Sequence, residues 1–130
     1  MALDSGGTIT GNVTNTGFIG GEDAGIYMAG GGSMASLLNS EEGEIRGEDY
    51  GIRIDTGGSF TNGTNSINNA GLIVASYGTG IYAETDATIG IITNSGTISG
   101  GDEESQDIQF DEGVSTLVKQ TGSKLIGELL

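Results

Sequence analysis

The chain has no cysteine, no histidine, no proline and no tryptophan, and its aromatic residues are only four Tyr and three Phe. Without cysteine and histidine, transition-metal sites, thiol nucleophiles and histidine acid–base catalysis are largely excluded. Because large side chains are scarce, any core must be thin. No stretch approaches ~18 apolar residues and the first residues lack a basic and then apolar segment, so the sequence predicts neither a membrane span nor a signal peptide. If the protein is exported, we expect this chain to be cut from a longer precursor.

Basic side chains are also few. Four Lys and Arg stand against eighteen Asp and Glu, which gives a formal net charge of −14. Nucleic acid and anionic membrane surfaces attract basic proteins, so this charge predicts no nucleic-acid partner and no membrane insertion by this segment. An acidic surface instead favours solubility and the binding of cations.

Glycine is abundant, at 26 residues, and it belongs to an internal repeat. A first isoleucine recurs in steps of 26, 28 and 25 residues, at Ile19, Ile45, Ile73 and Ile98. A second follows at Ile26, Ile52, Ile81 and Ile108. The period is therefore about 27 residues, which is typical of a solenoid. We predict one domain over residues 1–130, with repeats at about 13–36, 37–66, 67–91 and 92–119 and partial coils at 1–12 and 120–130.

Apolar residues alternate around the second isoleucine, which predicts strands. A third apolar position completes each repeat, at Met34, Phe60, Ile89 and Leu117. Short strands separated by glycine and polar clusters leave no room for crossover helices, so the expected fold is all-β, a single-stranded right-handed parallel β-helix of about five coils with three short strands each. In this fold the second isoleucines form an inward ladder, and an outward ladder contains Tyr27, Arg53, Tyr82 and Gln109. This places Arg53 between the rings of Tyr27 and Tyr82.

One asparagine occupies the same place in every repeat, at Asn15, Asn39, Asn69 and Asn94. A glycine follows two residues later, except in the second copy, where Glu41-Glu42 intervene. Asparagine tolerates left-handed backbone, its amide can hydrogen-bond to the same amide one coil along, and glycine permits the positive φ of a sharp corner. We therefore predict a structural asparagine ladder at one corner of the coil.

The run from Asn94 to Gly101, preceded by Ile91-Ile92-Thr93, resembles the Ile-x-Asn-x-Gly-x-Ile-x-Gly repeats of bacterial autotransporter passenger domains. The same pattern fits residues 13–25 and 67–81, so the resemblance covers nearly the whole chain. It implies a right-handed parallel β-helix that is secreted to an extracellular or bacterial cell-surface location, often for adhesion or aggregation. The chain lacks the signal peptide and the C-terminal barrel of a complete family member.

Acidic pairs at Glu22, Asp23, Glu48 and Asp49 fall in the same loop of successive repeats, with Asp102-Glu103-Glu104 in the matching loop of the fourth and Tyr77 in that of the third. Oxygen ligands one coil apart suit a divalent cation such as Ca²⁺. The alternative is a solvated acidic edge that opposes aggregation, and no calcium-binding nonapeptide run is present. We expect no other cofactor.

Two further activities fit the sequence less well. A polysaccharide hydrolase or lyase needs clustered carboxylates and a nearby base. The acids available are Asp55, Glu84, Asp86, Asp111 and Glu112, and the only bases are Arg46, Arg53, Lys119 and Lys124. Ice binding needs recurring threonine arrays, which Thr8-Ile9-Thr10 and Thr14-Asn15-Thr16 begin and later repeats do not continue.

Two functional hypotheses follow. The first is a non-catalytic structural and adhesive surface module, whose partner is a host or bacterial surface protein or a glycan. The second is a β-solenoid subunit that associates with itself through its ends and stacks into an extracellular filament, because the end coils of such a stack are open sheet edges.

Overall fold

The computed structural model describes residues 1–101 and 105–110 in full and, beyond them, the backbone strands at 114–119, 124–126 and 128–129. Every regular element in this part of the chain is a β-strand. In chain order the strands are β1 (Ala2–Leu3), β2 (Thr8–Asn15), β3 (Phe18–Gly21), β4 (Ala24–Met28), β5 (Ser33–Asn39), β6 (Glu44–Gly47), β7 (Tyr50–Ile54), β8 (Ser59–Phe60), β9 (Ile67–Asn69), β10 (Leu72–Ala75), β11 (Thr79–Ala83), β12 (Ile89–Asn94), β13 (Thr97–Ser99), β14 (Gln106–Phe110), β15 (Val114–Lys119), β16 (Lys124–Ile126) and β17 (Glu128–Leu129). A membrane-spanning helix is therefore not found among the described residues.

The strands form three parallel sheets. Sheet A has the order β1-β4-β7-β11-β14-β17, sheet B has the order β2-β5-β9-β12-β15 with β8 also paired to β5, and sheet C has the order β3-β6-β10-β13-β16. Apart from β8 and β9, which both belong to sheet B, consecutive strands of the chain belong to sheets A, B and C in turn, and strands pair with their equivalents one repeat later. This topology confirms the predicted parallel β-helix of three-strand coils.

The core is a set of apolar ladders inside the three sheets. Ile26, Ile52, Ile81 and Ile108 pair in register along sheet A and are fully buried. Ile45, Ile73 and Ile98 do the same along sheet C, where Ile19 of the first coil begins the ladder. Burial of one such side chain contributes about 1.5–3 kcal/mol, so repetition of a single apolar position stabilises a narrow stack without large aromatic residues. The predicted inward ladder of the second isoleucines is confirmed, and the first isoleucines of the repeats form another.

The third apolar position is confirmed for Met34 and Phe60, which pair in register in sheet B, but its assignment to Leu117 is wrong. Ile89 pairs with Val114, whereas Leu117 pairs with Ile92. The reason is that the third segment of one repeat and the first segment of the next belong to one strand, as in β5, which runs from Ser33 to Asn39. Within such a strand, two apolar residues three positions apart occupy separate ladder positions. The spacing between repeats does not show which of the two positions a given residue occupies.

Three corners connect the sheets. The A–B corner is a tight turn, closed by hydrogen bonds such as Gly32 N to Ala29 O at 2.8 Å and Gly58 N to Asp55 O at 2.9 Å. Residues in left-handed backbone conformation occur at this corner in every described coil, at Ser5, Gly6, Gly30, Gly31, Gly57 and Asp86. The B–C corner carries the asparagines, and the C–A corner carries the acidic pairs.

Candidate functional site

The asparagine ladder lies at the B–C corner, as predicted. Asn15, Asn39, Asn69 and Asn94 pair in register, and the last three are completely buried. The side-chain Nδ2 of one asparagine donates to Oδ1 of the next, at 2.9 Å from Asn15 to Asn39, 2.8 Å from Asn39 to Asn69 and 2.9 Å from Asn69 to Asn94. An amide placed in a dry core needs such partners, because an unpaired polar group there costs free energy.

Three of the ladder amides also hold the backbone of two coils. Asn39 Nδ2 donates to Gly43 O of its own corner at 3.2 Å and to Leu72 O of the next coil at 3.1 Å. Asn15 and Asn69 repeat this arrangement with the equivalent carbonyls, those of Gly17 and Glu44 and those of Gly71 and Thr97. The ladder therefore fixes the start of each sheet C strand, and it has one direction, with Nδ2 facing the following coil and Oδ1 facing the preceding one.

The reason for glycine at this corner differs from the prediction. Neither the asparagines nor Gly17, Gly43, Gly71 and Gly96 are among the described residues with positive φ. A Cβ on Gly71 would instead lie 2.2 Å from both Gly43 O and Ser40 O, and one on Gly96 would lie 2.2 Å from Gly71 O. Glycine is needed because the preceding coil approaches its backbone closely, not because the chain turns through left-handed conformation.

The outer face of sheet A carries a cluster that we call the Tyr–Arg strip, made of Tyr27, Tyr50, Arg53 and Tyr82 with Asp23 and Asp55. Arg53 pairs in register with both Tyr27 and Tyr82, as predicted. Its guanidinium lies 5.6 Å from the ring centroid of Tyr27 and 5.1 Å from that of Tyr50. The prediction that Tyr82 is the second ring partner is therefore wrong, and Tyr82 packs on Tyr50 with centroids 5.3 Å apart.

The sequence pattern did not identify Tyr50 as part of the Tyr–Arg strip because of its position in the strand. It lies two residues before the buried Ile52, so strand alternation assigns it to the inner side, yet it is the first residue of β7 and only half buried. At a strand start the corner allows the side chain to reach the outer face. Composition offers one signal, since Tyr50 is one of only four tyrosines and is close in sequence to Arg53.

Asp55 organises the strip. Its Oδ1 accepts from Arg53 Nε at 2.7 Å and its Oδ2 accepts from Tyr27 Oη at 3.1 Å. The hydrogen bond with Asp55 raises the pKa of Arg53 above its ordinary value. Partial burial, followed by the hydrogen bond to Asp55, raises the pKa of Tyr27. At neutral pH the strip therefore contains a charged Arg53 and a neutral Tyr27, both held by Asp55.

The acidic pairs lie at the C–A corner. The backbones of this corner stack, with Glu48 N donating to Glu22 O at 3.0 Å and Asp49 N to Asp23 O at 3.1 Å. Asp23 Oδ2 is 3.3 Å from an Arg53 guanidinium nitrogen. Within residues 1–101 and 105–110, no three acidic side chains are grouped so that they could hold a metal ion. The matching acids of the fourth repeat, at 102–104, lie outside the described residues, and calcium binding stays a prediction.

A buried carboxylate that the sequence analysis did not single out is Asp107 on β14. It replaces the glycine that precedes the ladder isoleucine in earlier coils, Gly25, Gly51 and Gly80. Oδ1 accepts from Gly100 N at 2.9 Å, and Oδ2 is buried without a hydrogen-bond partner. Burial raises the pKa of this carboxyl, and the hydrogen bond from Gly100 partly opposes the rise. In the sequence, the replacement of the repeated glycine by an aspartate is the signal that could have identified Asp107.

Comparison of the chain with protein-family models, with curated proteins and with solved structures found no match. The resemblance to autotransporter passenger repeats remains a prediction from the sequence, and a functional assignment depends on the geometry of the stack.

Proposed function

We propose that this chain is a non-catalytic structural and adhesive module of an autotransporter-like protein at the bacterial cell surface or outside the cell. The observation that carries the proposal is the Tyr–Arg strip. Tyrosine and arginine contribute most to binding at the centres of protein interfaces, especially where they are held rigidly before the partner arrives. Here Asp55 holds Tyr27 and Arg53, and the tilted packing of Tyr82 on Tyr50 orders the rest.

The hydrogen bonding of the strip favours binding over catalysis. A general acid or base must reach the substrate with a proton or a lone pair available. Both oxygens of Asp55 are engaged within the chain, by Arg53 and Tyr27. The strip therefore offers a fixed polar and aromatic surface rather than a carboxylate ready for proton transfer.

The charge of the chain favours a partner with basic groups. The two arginines are both paired inside the described part of the chain, Arg46 with Glu44 at 2.6 Å and Arg53 with Asp55 and Asp23. The net charge of −14 then steers cationic surfaces towards the stack and repels acidic ones. A surface protein with a basic patch, or a glycan that carries amino groups, fits this charge.

Beads coated with the chain test the adhesive role. We expect them to attach to cultured epithelial cells, or to one member of a panel of immobilised surface glycans, more than albumin-coated beads do. Tyr82→Ala removes a ring from the strip and should reduce attachment. Tyr77→Ala is the matched control, because Tyr77 is 72% exposed at the C–A corner and belongs to no part of the strip.

Attachment no greater than that of albumin-coated beads contradicts the adhesive role, and equal losses in the two variants contradict the assignment to the strip. The non-catalytic part of the proposal has its own measurement. Incubation with acidic polysaccharides should release neither reducing ends nor unsaturated products, and release of either one contradicts it.

A further inference from the structure

An exposed loop interrupts sheet B in one coil. Strand β5 has two residues between Met34 and Leu37, whereas the next coil has six, residues 61–66, between their register partners Phe60 and Ile67. The sheet B strand of this coil is therefore divided into β8 and β9. Residues 61 and 63–65 of the loop are exposed. Such a surface segment belongs to no ladder, so its residues are open to chemistry that the stacked strands exclude.

This loop contains the one Asn-Gly pair of the sequence, Asn62-Gly63. The backbone nitrogen that follows an asparagine can attack the side-chain carbonyl carbon, because the two atoms belong to one short segment and the attack is intramolecular. Glycine shields this nitrogen least, since it has no Cβ. The space around Gly63 is also open, and a Cβ placed there would meet nothing within 4 Å.

The nitrogen of Gly63 is available as a nucleophile. It donates no hydrogen bond to any residue that the structure describes. The exposed Asn65 is different, because the next nitrogen, Ser66 N, donates to Ile91 O at 3.0 Å. The nitrogens that follow three of the ladder asparagines also donate to the preceding coil, at 3.0 Å from Ser40, 2.8 Å from Ala70 and 2.8 Å from Ser95. Attack by any of these four nitrogens requires the loss of a hydrogen bond between coils.

The side-chain carbonyl of Asn62 is polarised for this attack. Its Oδ1 accepts from Thr64 N at 3.3 Å and from Thr64 Oγ1 at 3.0 Å. Two donors on this oxygen draw electrons from Cγ and stabilise the negative charge that the oxygen acquires as the nitrogen adds. The backbone of Asn62 is held as well, since its N donates to Ala35 O at 3.0 Å and its O accepts from Ser66 Oγ at 2.9 Å. The loop therefore brings together a free nucleophile and an activated carbonyl.

We propose that Asn62 is a self-modification site, which the folded chain converts through a succinimide to aspartate and isoaspartate with water as the only co-reactant. Gly63 N loses its proton to solvent and bonds to Asn62 Cγ. The Cγ–Nδ2 bond breaks, and Nδ2 takes up a proton and leaves as ammonia. Water then opens the ring. Addition at Cγ breaks the new bond and gives aspartate, whereas addition at the main-chain carbonyl carbon breaks the original peptide bond and gives isoaspartate.

The modification changes both the charge and the backbone of this loop. Either product adds a negative charge to a chain whose net charge is already −14. In the isoaspartyl form the main-chain oxygen of Asn62 becomes part of a free carboxylate. That oxygen accepts from Ser66 Oγ, which itself accepts from Gly90 N of the next coil at 2.8 Å. The reaction therefore alters a contact between coils, and its extent records the age of the folded chain. This inference does not depend on the adhesive role.

Incubation of the intact chain at mildly alkaline pH, followed by mass spectrometry of its proteolytic peptides, tests the modification. We expect the peptide that contains Asn62 to gain the mass difference between OH and NH₂ and to separate into two products. In water enriched in heavy oxygen, both products should take up one heavy atom. Asn65 is the internal control and should stay unmodified. An unmodified Asn62 overturns the proposal, as does modification of Asn65 at the same rate.

Hydroxylamine tests the intermediate, because it attacks a succinimide and releases the residue on its nitrogen as a new N-terminus. Added during the incubation, it should cleave the folded chain into residues 1–62 and 63–130. Formation of the two products without any such cleavage would overturn the succinimide route.

Two variants separate the nucleophile from the activating group. Gly63→Ala places a methyl group beside the attacking nitrogen and should slow the modification about tenfold or more, while its added carbon meets open space in the fold. Thr64→Val keeps the shape of the side chain and removes one donor to Oδ1, which should slow the reaction about threefold.

Thr61→Val is the matched control for loss of a hydroxyl, since Thr61 is exposed, precedes Asn62 and is not a donor to its amide. It should leave the rate unchanged, and all three variants should keep the circular dichroism spectrum of the unmodified chain. An unchanged rate in Gly63→Ala contradicts attack by the Gly63 nitrogen. Equal rates in Thr64→Val and Thr61→Val contradict activation by Thr64.

Discussion

Asn39 donates from Nδ2 to Oδ1 of Asn69 across a distance of 2.8 Å, and both side chains are fully buried. The two residues are 30 positions apart in the sequence, so this hydrogen bond joins successive coils rather than neighbours in one turn. The same amide also binds a carbonyl of each coil. It therefore sets the position of one coil on the next at a corner where no apolar side chain could do so.

Asn39→Ala should destabilise the chain by about 3 kcal/mol, because it leaves the Asn15 amide and the Asn69 oxygen without their buried partners. Asn68→Ala is the matched control, since Asn68 is adjacent to the ladder, lies on the opposite side of the same strand and is only partly buried. Urea unfolding followed by far-ultraviolet circular dichroism measures both. A change in Asn39→Ala no larger than that in Asn68→Ala would show that the ladder does not stabilise the stack.

The ladder positions could be predicted because a β-helix repeats its inner surface. Ile26, Ile52 and Asn39 recur with the period of the chain, and period two identifies which of their neighbours face inward. The packing of Tyr50 on Tyr82 could not be predicted in this way, since it joins a residue at a corner to one in mid-strand. Such contacts depend on how far a side chain bends around a corner, which no repeat pattern encodes.

The corner glycines are needed because the preceding coil approaches their backbone closely, and substitution of one of them tests this explanation. Gly71→Ala places a Cβ 2.2 Å from two carbonyl oxygens of the preceding coil, so the coils must separate locally. We expect a loss of about 2–3 kcal/mol. Gly63→Ala, where the added carbon meets open space, should change the free energy of unfolding by less than about 0.5 kcal/mol. Equal tolerance of the two substitutions in urea unfolding would contradict the close-approach explanation.

Arg53 should matter more to stability than Arg46. Arg53 bridges Asp55 and Asp23 and contacts two rings, whereas Arg46 pairs only with Glu44, two residues away on the same strand. We expect Arg53→Gln to cost about 1 kcal/mol and Arg46→Gln to cost close to nothing, as for other exposed ion pairs. Urea midpoints of the two variants at low salt provide the comparison, and equal midpoints would contradict the organising role of Arg53.

Asp107 should make the stability of the chain depend on pH. Its pKa is raised in the folded state, so its protonated form fits the fold better than its charged form. The contribution of this group is complete at pH values below its unfolded pKa and is lost as the pH rises through the higher folded pKa. Where the pH exceeds this folded pKa, the buried carboxylate is charged and therefore destabilises the fold.

Asp107→Asn keeps an oxygen acceptor for Gly100 N and removes the charge. We expect it to be more stable than the unmodified chain at pH 7 by about 1–2 kcal/mol, with a difference that shrinks as the pH falls towards 4. Because the other carboxylates are common to both chains, the difference between the two pH profiles isolates Asp107. A difference that stays constant with pH would contradict burial of the charged form.

The coils stack in parallel, with each repeat directly over its equivalent. Leu38 and Asn68 pair in register on the outer side of sheet B, and Thr93 is in register one coil further along. Neighbouring strands are ~4.8 Å apart, which suits a disulfide, whereas a separation of two coils, ~9.6 Å, does not. In this cysteine-free chain, Leu38→Cys with Asn68→Cys should form an intramolecular disulfide under mild oxidation, and Leu38→Cys with Thr93→Cys should not. The reverse result, or equal yields from the two pairs in the folded monomer, would contradict this parallel, in-register stacking.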